Sequence, residues 1–405
     1  MNGNKSWYRL DNAAIIIPST VNGSDSRVFR VSCELMEEVD PEVLQSALDE
    51  IIRAFPHINV VLRKGMFWYY MDGCDLKEIV TREKIPPLSP IYVDGRKTLL
   101  YRVSYYKKRI NVEMFHVLAD GTGGFIFLKD LVICYINNLY GLNVPQESIR
   151  SEVIEEKARN AFSENYQKTR GNRQLKEMTS KKAYHIKGKK DENFNNHLIE
   201  VTVSAGDFLQ LAKKNNTTAG IYAVSLYIQS IIEEMDDNRK KQPVVVSVPV
   251  NLRQFYPSNT TRNFFGVINV RFDPDMYDGT TCSITKEVAG SFKRQLEPEA
   301  IDRTMNSYSA LVHKWAIKMI PLFIKDMVIE RYYVSSQQGV TCNVSNLGRI
   351  QMPEEISPYI NKFIGFMTSA TMQTCIATFG DNMVFGAVSG FYENRVIKNL
   401  CRHMS

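Results

Sequence analysis

Between Pro243 and Asn251 the chain reads Val244-Val245-Val246-Ser247-Val248-Pro249-Val250. The run is almost continuously β-branched and shows no apolar-polar alternation. A segment of this kind is a strand buried on both faces. Such a strand needs other elements on each side of its sheet, and the surrounding sequence supplies helices. Thr281 to Leu296, Met305 to Ile320 and a stretch starting at Thr218 or Ala219 all carry helical spacing. Further strands are expected at His197 to Val203, Phe265 to Phe272, Thr341 to Ser345, Phe363 to Ala370, Thr374 to Phe379 and Met383 to Ser389. Asn394 to Met404 reads as a closing helix.

The first part of the chain repeats the mixture. Val28 to Leu35 is a strand. Asp40-Pro41-Glu42 then opens a helix, with Asp40 as N-cap and Pro41 at the first helical position. Val43, Leu44, Ala47, Leu48, Ile51, Ile52 and Phe55 form its apolar face, and Pro56 stops it. Leu99 to Tyr106 and Ile110 to Phe115 make a hairpin, and Phe125 to Leu139 a helix that follows the turn Gly121-Thr122-Gly123-Gly124. The chain has 405 residues, enough for two or three domains or two large lobes at ~100–200 residues each. The expected organisation is an α/β protein with a first lobe over 1–166, a polar basic connector over 167–196 and a second lobe over 197–405.

Charge narrows the partners. The net charge is +6. Between Lys168 and Glu192 stand nine basic and three acidic residues, so this one segment carries the whole excess. The remainder is nearly neutral, which argues against a nucleic-acid-binding surface. Lys187, Lys189 and Lys190 are instead candidates for the phosphates of a small ligand. The apolar stretch Gly123 to Leu139 is interrupted by Lys129, Asp130 and two asparagines, so no integral membrane segment is expected. The N-terminus lacks a signal-peptide pattern. The seven cysteines are unpaired in spacing, and a cytoplasmic protein with reduced thiols is expected. No metal-ligand spacing and no phosphate-binding GxxxxGK[ST] loop occurs.

The segment with most chemistry is Phe115-His116-Val117-Leu118-Ala119-Asp120-Gly121, where an alternating strand gives way to an apolar helix. Imidazole is the natural general base near neutral pH. Asp120 could orient the ring or pin the loop. A His and an Asp four apart could equally be a structural contact. His57, between a helix and a strand, reads as a packed polar residue.

HxxxDG at this place in a chain of this length resembles the CoA-dependent acyltransferase superfamily, which includes chloramphenicol acetyltransferase and the peptide-synthetase condensation domains. Ser247 to Arg253, Asn263-Phe264-Phe265-Gly266 and Asn343-Val344-Ser345-Asn346-Leu347-Gly348 are similar to later segments of that superfamily, in the same order. The bacterial alcohol acetyltransferases are the most similar branch. No DFGWG occurs, and residue 115 is Phe where condensation domains carry a second His. The resemblance implies a two-lobed chloramphenicol-acetyltransferase-like fold, with a mixed sheet flanked by helices in each lobe and a tunnel between them. It implies acyl transfer, acetyl above all, from acetyl-CoA or another acyl-CoA to an alcohol or amine. CoA would be a co-substrate, and no resident cofactor or metal is expected. His116 would be the base, with Asp120 and Gly121 structural in the loop. Arg253 would pair with Asp120 or meet a CoA phosphate. Ser345 or Asn346 would steady the oxyanion. The alternatives are a condensation-like protein fed by an acyl or peptidyl carrier protein, and a non-catalytic member that binds pantetheine.

Overall fold

The computed structural model describes residues 7–146, 151–166, 182–191, 196–239, 241–313, 318–369 and 371–404. The first part comprises β1 (Trp7–Arg9), β2 (Val28–Leu35), α1 (Pro41–Ile51), β3 (Val60–Lys64), β4 (Tyr69–Gly73), β5 (Thr81–Arg82), β6 (Tyr101–Tyr106), β7 (Arg109–Phe115), α2 (Gly121–Tyr140), α3 (Ser151–Lys157) and α4 (Ala161–Glu164). The second comprises β8 (His197–Ser204), α5 (Ala205–Lys214), α6 (Ala219–Ile232), β9 (Val244–Asn251), β10 (Phe265–Phe272), α7 (Thr281–Gln295), α8 (Pro298–His313), α9 (Leu322–Gln337), β11 (Cys342–Arg349), β12 (Ile360–Met367), β13 (Met372–Phe379), β14 (Asn382–Ser389) and α10 (Arg395–Met404).

These elements build two lobes, each a mixed sheet with helices against it. The first sheet has the order β12-β2-β7-β6-β5 and the second β10-β9-β11-β13-β14-β8. A small third sheet, β1-β4-β3, completes the first lobe. β9 lies inside the second sheet, antiparallel to β10 and parallel to β11, as its unbroken apolar run requires. In the first lobe, α1 and α2 bury Leu44, Leu48, Ile51, Leu128, Leu131 and Tyr135 in one core. Asp40 caps α1 by accepting from Glu42 N and Val43 N. In the second, α6 packs Leu226, Tyr227 and Ile231 with Val246, Ile376 and Phe385.

The lobes are joined by exchange of chain. β12 comes from late in the sequence, yet it pairs antiparallel with β2 along its whole length, from Ile360 opposite Leu35 to Met367 opposite Phe29. Where β12 passes β14 the backbones touch: a Cβ added at Gly386 would lie 2.1 Å from Gly365 O.

Three expectations are corrected. The residues Gly121 to Gly124 are the first turn of α2 and not a loop before it, because Asp120 caps the helix through Gly123 N. α8 begins at Pro298, before the expected Met305, and is described as far as His313, and α9 follows at Leu322 where no element was expected. Finally, the connector, expected to be a polar basic stretch, is packed in part over 182–191. Ala183 and Tyr184 are buried, Tyr184 N donates to Pro243 O (2.8 Å), and Lys190 bridges to Phe391. Residues 167–181 and 192–195 of the connector lie outside the described residues. Among the described residues no helix is long and apolar enough to cross a membrane.

Candidate active site

β7 ends at Phe115, which faces Val28, the first residue of its antiparallel partner β2. His116 N then donates to Arg27 O (2.9 Å), and Leu118 N to Phe115 O closes a tight turn. The ring of His116 lies on the seam between the lobes. Phe29 of the first lobe meets it edge-on at 5.4 Å, and Phe265 of the second lies at 5.8 Å. His116 is only 9% exposed.

The polar contacts of the ring decide its protonation. Nδ1 is 2.9 Å from Asn263 Oδ1. The other end of that amide, Nδ2, donates to Asp11 Oδ2 (3.1 Å) and to the His116 carbonyl (3.0 Å). Turning the amide over would set its oxygen against a carboxylate and a carbonyl, so Oδ1 must face the histidine. An acceptor there requires a hydrogen on Nδ1. The neutral ring therefore keeps its lone pair on Nε2, where no hydrogen bond forms among the described residues. Burial lowers the His116 pKa below the ordinary 6.5, opposed by its own backbone carbonyl, Asp120 and Asn263. The uncharged form, a base, is thus the resting form at neutral pH.

Behind Asn263 stands Asp11, fully buried, which also accepts from Asn263 N (3.3 Å). Burial pushes its carboxyl pKa up, and the Arg262 guanidinium 3.7 Å away works in the other direction. Arg262 is itself held by the carbonyls of Arg9 (2.5 Å) and Ala158 (3.3 Å). Asn263 belongs to a segment noted in the sequence, but its part in the site was not read there. The available signal was the polar run Thr260-Thr261-Arg262-Asn263 directly before the apolar β10.

Asp120 does not bond the histidine. Each of its oxygens takes two donors: Oδ1 from Gly123 N (2.8 Å) and Arg253 Nη2 (3.3 Å), and Oδ2 from Arg253 Nη1 (2.8 Å) and Phe264 N (2.9 Å). Arg253 also donates to Thr260 O (3.0 Å) and Arg262 O (2.6 Å). The pair therefore pins the start of α2 to the strand connection that carries Asn263. Gly123 is required for this approach, since a Cβ there would sit 1.8 Å from Thr261 O.

The remaining candidates are distributed differently. Gly121 lies against the Leu347 side chain, which brings the Ser345 to Gly348 segment of β11 next to the loop. Ser345 is half-buried on that strand, whereas Asn346 is exposed and spends Oδ1 on Gly348 N (2.9 Å). Asn346 also lies by Gly220 at the first turn of α6. Lys187 is beyond the far end of that helix, paired with Asp236 (3.0 Å), and fourteen helical residues span ~21 Å. Lys189 and Lys190 lie over Tyr392 and Phe391. The structure does not bring these three lysines to His116. His57 is packed, as expected. It meets Thr261 Oγ1 at 2.7 Å, and burial together with the cations Arg262 and Lys157 lowers its pKa to about 3. Among the described residues no three His, Cys, Asp or Glu could hold a metal ion.

The arrangement thus offers a neutral imidazole of fixed tautomer on the seam between two lobes, held by residues from both. No protein-family model matches the sequence, and no curated protein matches it. Solved structures do. Trichothecene 15-O-acetyltransferase from Fusarium sporotrichioides aligns with a TM-score of 0.67 at 9% identity, covering 100% of this chain and 95% of that one. A Fusarium sporotrichioides protein solved in complex with coenzyme A and T-2 gives 0.63 at 11% identity, over 98% and 97%. The first condensation domain of the CDA synthetase gives 0.62 at 10% identity, over 100% and 95%. At these identities the likeness is one of fold: the two-lobed architecture with mixed sheets flanked by helices.

Proposed function

We propose that this chain belongs to the CoA-dependent acyltransferase superfamily and transfers an acyl group, acetyl by preference, from acyl-CoA to an alcohol or amine. The observation that carries the reading is the tautomer of His116. With Nδ1–H held by Asn263, Nε2 is the ring's basic atom. It accepts the proton of the acceptor's hydroxyl or amine as the oxygen or nitrogen attacks the thioester carbonyl. The tetrahedral intermediate collapses with loss of the CoA thiolate, which takes the proton back from Nε2. The histidine ends as it began, and the products are an ester or amide and free CoA. Ser345, half-buried on β11 near the loop, is the candidate donor to the oxyanion. Asp120 and Arg253 act at one remove by fixing the loop. Lys187, Lys189 and Lys190 take no part in this reading. The bacterial alcohol acetyltransferases remain the branch we favour, with the cytoplasm as its place of work.

The test is release of free thiol from acetyl-CoA and longer acyl-CoAs against a panel of alcohols and amines, with His116→Ala as control. Release that depends on acceptor and on His116 supports the reading. Transfer only from a carrier-protein thioester would replace it with the condensation-like one, and transfer from neither donor would refute both.

A further inference from the structure

α9 is fastened to the first lobe largely by its polar residues. Leu322 N donates to Met66 O (2.8 Å), in the turn between β3 and β4. Lys325 is buried, donates to Phe67 O (2.9 Å) and lies 3.4 Å over the Trp68 ring. Asp326 accepts from Ser19 Oγ (2.7 Å) and Tyr69 OH (3.0 Å). Two turns further on, the Tyr333 ring carries the Arg27 guanidinium, with Cζ 4.2 Å from the ring centre.

The outward side of the helix is apolar. Phe323, Ile324, Met327, Val328 and Val334 are between 40% and 64% exposed, and at ~100° per residue they fall within one arc of about 140°. Tyr332 extends the arc, and Met66 adjoins its first turn with 74% of its surface exposed. A surface helix ordinarily turns its apolar stripe inward, so this one is laid the wrong way round for a monomer. At ~200 Å² for a large side chain, the seven residues present on the order of 700 Å² of apolar surface. The largest patch on an ordinary monomer is about 300–600 Å², and one side of a stable protein interface about 800 Å².

The charges on the patch select what it faces. A helix that lies on a bilayer surrounds its apolar stripe with lysine and arginine. Here the lysine of α9 is turned inward, and the exposed side carries one charge of each sign, Glu330 at the edge of the arc and Arg331 within it. An acid beside a base is self-complementary under a two-fold axis. A second α9 crossing antiparallel at this point sets each Arg331 against the other copy's Glu330, and each Met327 beside the other copy's Val334.

We propose that the outward face of α9 is the contact surface of a two-fold homodimer, in which the two α9 helices pack antiparallel about Glu330 and Arg331. The proposal is independent of the acyl-transfer reading.

The experiment is sedimentation velocity of the full chain over a concentration series. The parent is expected to dimerise with a Kd of about micromolar or tighter, the range open to an interface of this size. Met327→Asp should weaken the dimer by about tenfold or more. Glu330→Arg and Arg331→Glu should each weaken it through like-charge contact across the axis, and the double exchange Glu330→Arg with Arg331→Glu should restore it. Thermal melts check that each variant is folded, and Phe323→Lys stands in if Met327→Asp is not. A parent that stays monomeric throughout the series, or a dimer indifferent to the α9 variants, overturns the proposal. A double exchange no better than the single ones overturns the antiparallel pairing. Flotation with vesicles of phosphatidylcholine, alone or with phosphatidylserine, is a further arm: a monomer that binds them and loses binding with Met327→Asp would assign the face to a lipid surface and overturn the dimer.

Discussion

Replacing Asp120 by Asn changes one atom of the loop and almost nothing of its shape, so its effect isolates the ionic contact. The carboxylate accepts four hydrogen bonds, two at each oxygen, and every partner is a donor. A carboxamide can satisfy one side only. Its NH2 must point either at Gly123 N and Arg253 Nη2 or at Phe264 N and Arg253 Nη1. Two bonds are lost in either case, and a buried guanidinium, 10% exposed, is left without the negative charge that Asp120 supplied. Breaking one partner of a buried pair costs ~3–5 kcal/mol. Unfolding entropy near 60 °C is about 2.1 cal/mol/K per residue, or roughly 0.85 kcal/mol/K for 405 residues. The expected fall in Tm is therefore about 4–6 °C if the lobes melt together. Differential scanning calorimetry of Asp120→Asn, Arg253→Met and the double variant measures it. The double variant should lose less than the two single losses combined, because removing Arg253 removes the uncompensated charge. A Tm within about one degree of the parent, or strictly additive losses, would refute the argument that this pair fastens the loop to the second lobe.

Other outcomes are equally definite. His116→Ala should melt within a few degrees of the parent while thiol release drops by ~10²–10⁴-fold; retention of a large part of the rate would remove His116 as the base. Because burial lowers the His116 pKa, kcat/KM should be level through neutral pH and decline only as pH falls below 6.5 and the ring takes up a proton, so an inflexion above 6.5 would contradict the reasoning. Asn263→Ala should remove the lock on the tautomer, lowering kcat by about tenfold for a lost hydrogen bond of ~1.4 kcal/mol. Nitrogen NMR shifts of the imidazole should report loss of the fixed Nδ1–H form, and an unaltered tautomer would exclude the positioning role. His57 has its folded pKa depressed to about 3, so the unfolded chain protonates first as acid is added. Stability should then fall by ~1.4 kcal/mol per pH unit from this residue between about 6.5 and about 3. Urea titrations of parent and His57→Gln should diverge in that window, and parallel curves would show that the ring is not buried neutral.

How much of this was readable in advance depends on where each interaction closes. His116, Asp120 and Gly121 are near neighbours in sequence, and the passage from alternating to helical spacing marks them as a junction. Arg253 was reachable only as one of two options, because its partner lies 133 positions away and a sequence shows no such distance. Asn263 and Asp11 meet His116 through three separate parts of the chain, and an asparagine or a lone aspartate has no signature of its own. The start of α2 was placed late because Gly and Thr lower helix propensity, whereas the Asp120 cap and the packing against Thr261 override it. α9 escaped for the opposite reason. Phe323, Met327, Val328 and Tyr332 are more than half exposed, so its apolar residues do not trace one buried face.

The late strand β12 has a consequence for how the protein is made. β2 is finished when Leu35 has been added, but its outer partner starts only at Ile360. At ~5–20 residues per second, synthesis of the intervening stretch takes about 16–65 s. Once Phe115 has been added, β2 has one side closed by β7, but until Ile360 its other side is a row of unmet backbone groups, the kind of margin that recruits foreign strands. A nascent chain stalled before Met367 would therefore carry a nearly complete but sticky first lobe. Folding of this protein is thus gated by the ribosome reaching its last tenth, and slow translation over its middle prolongs the hazard while faster translation shortens it.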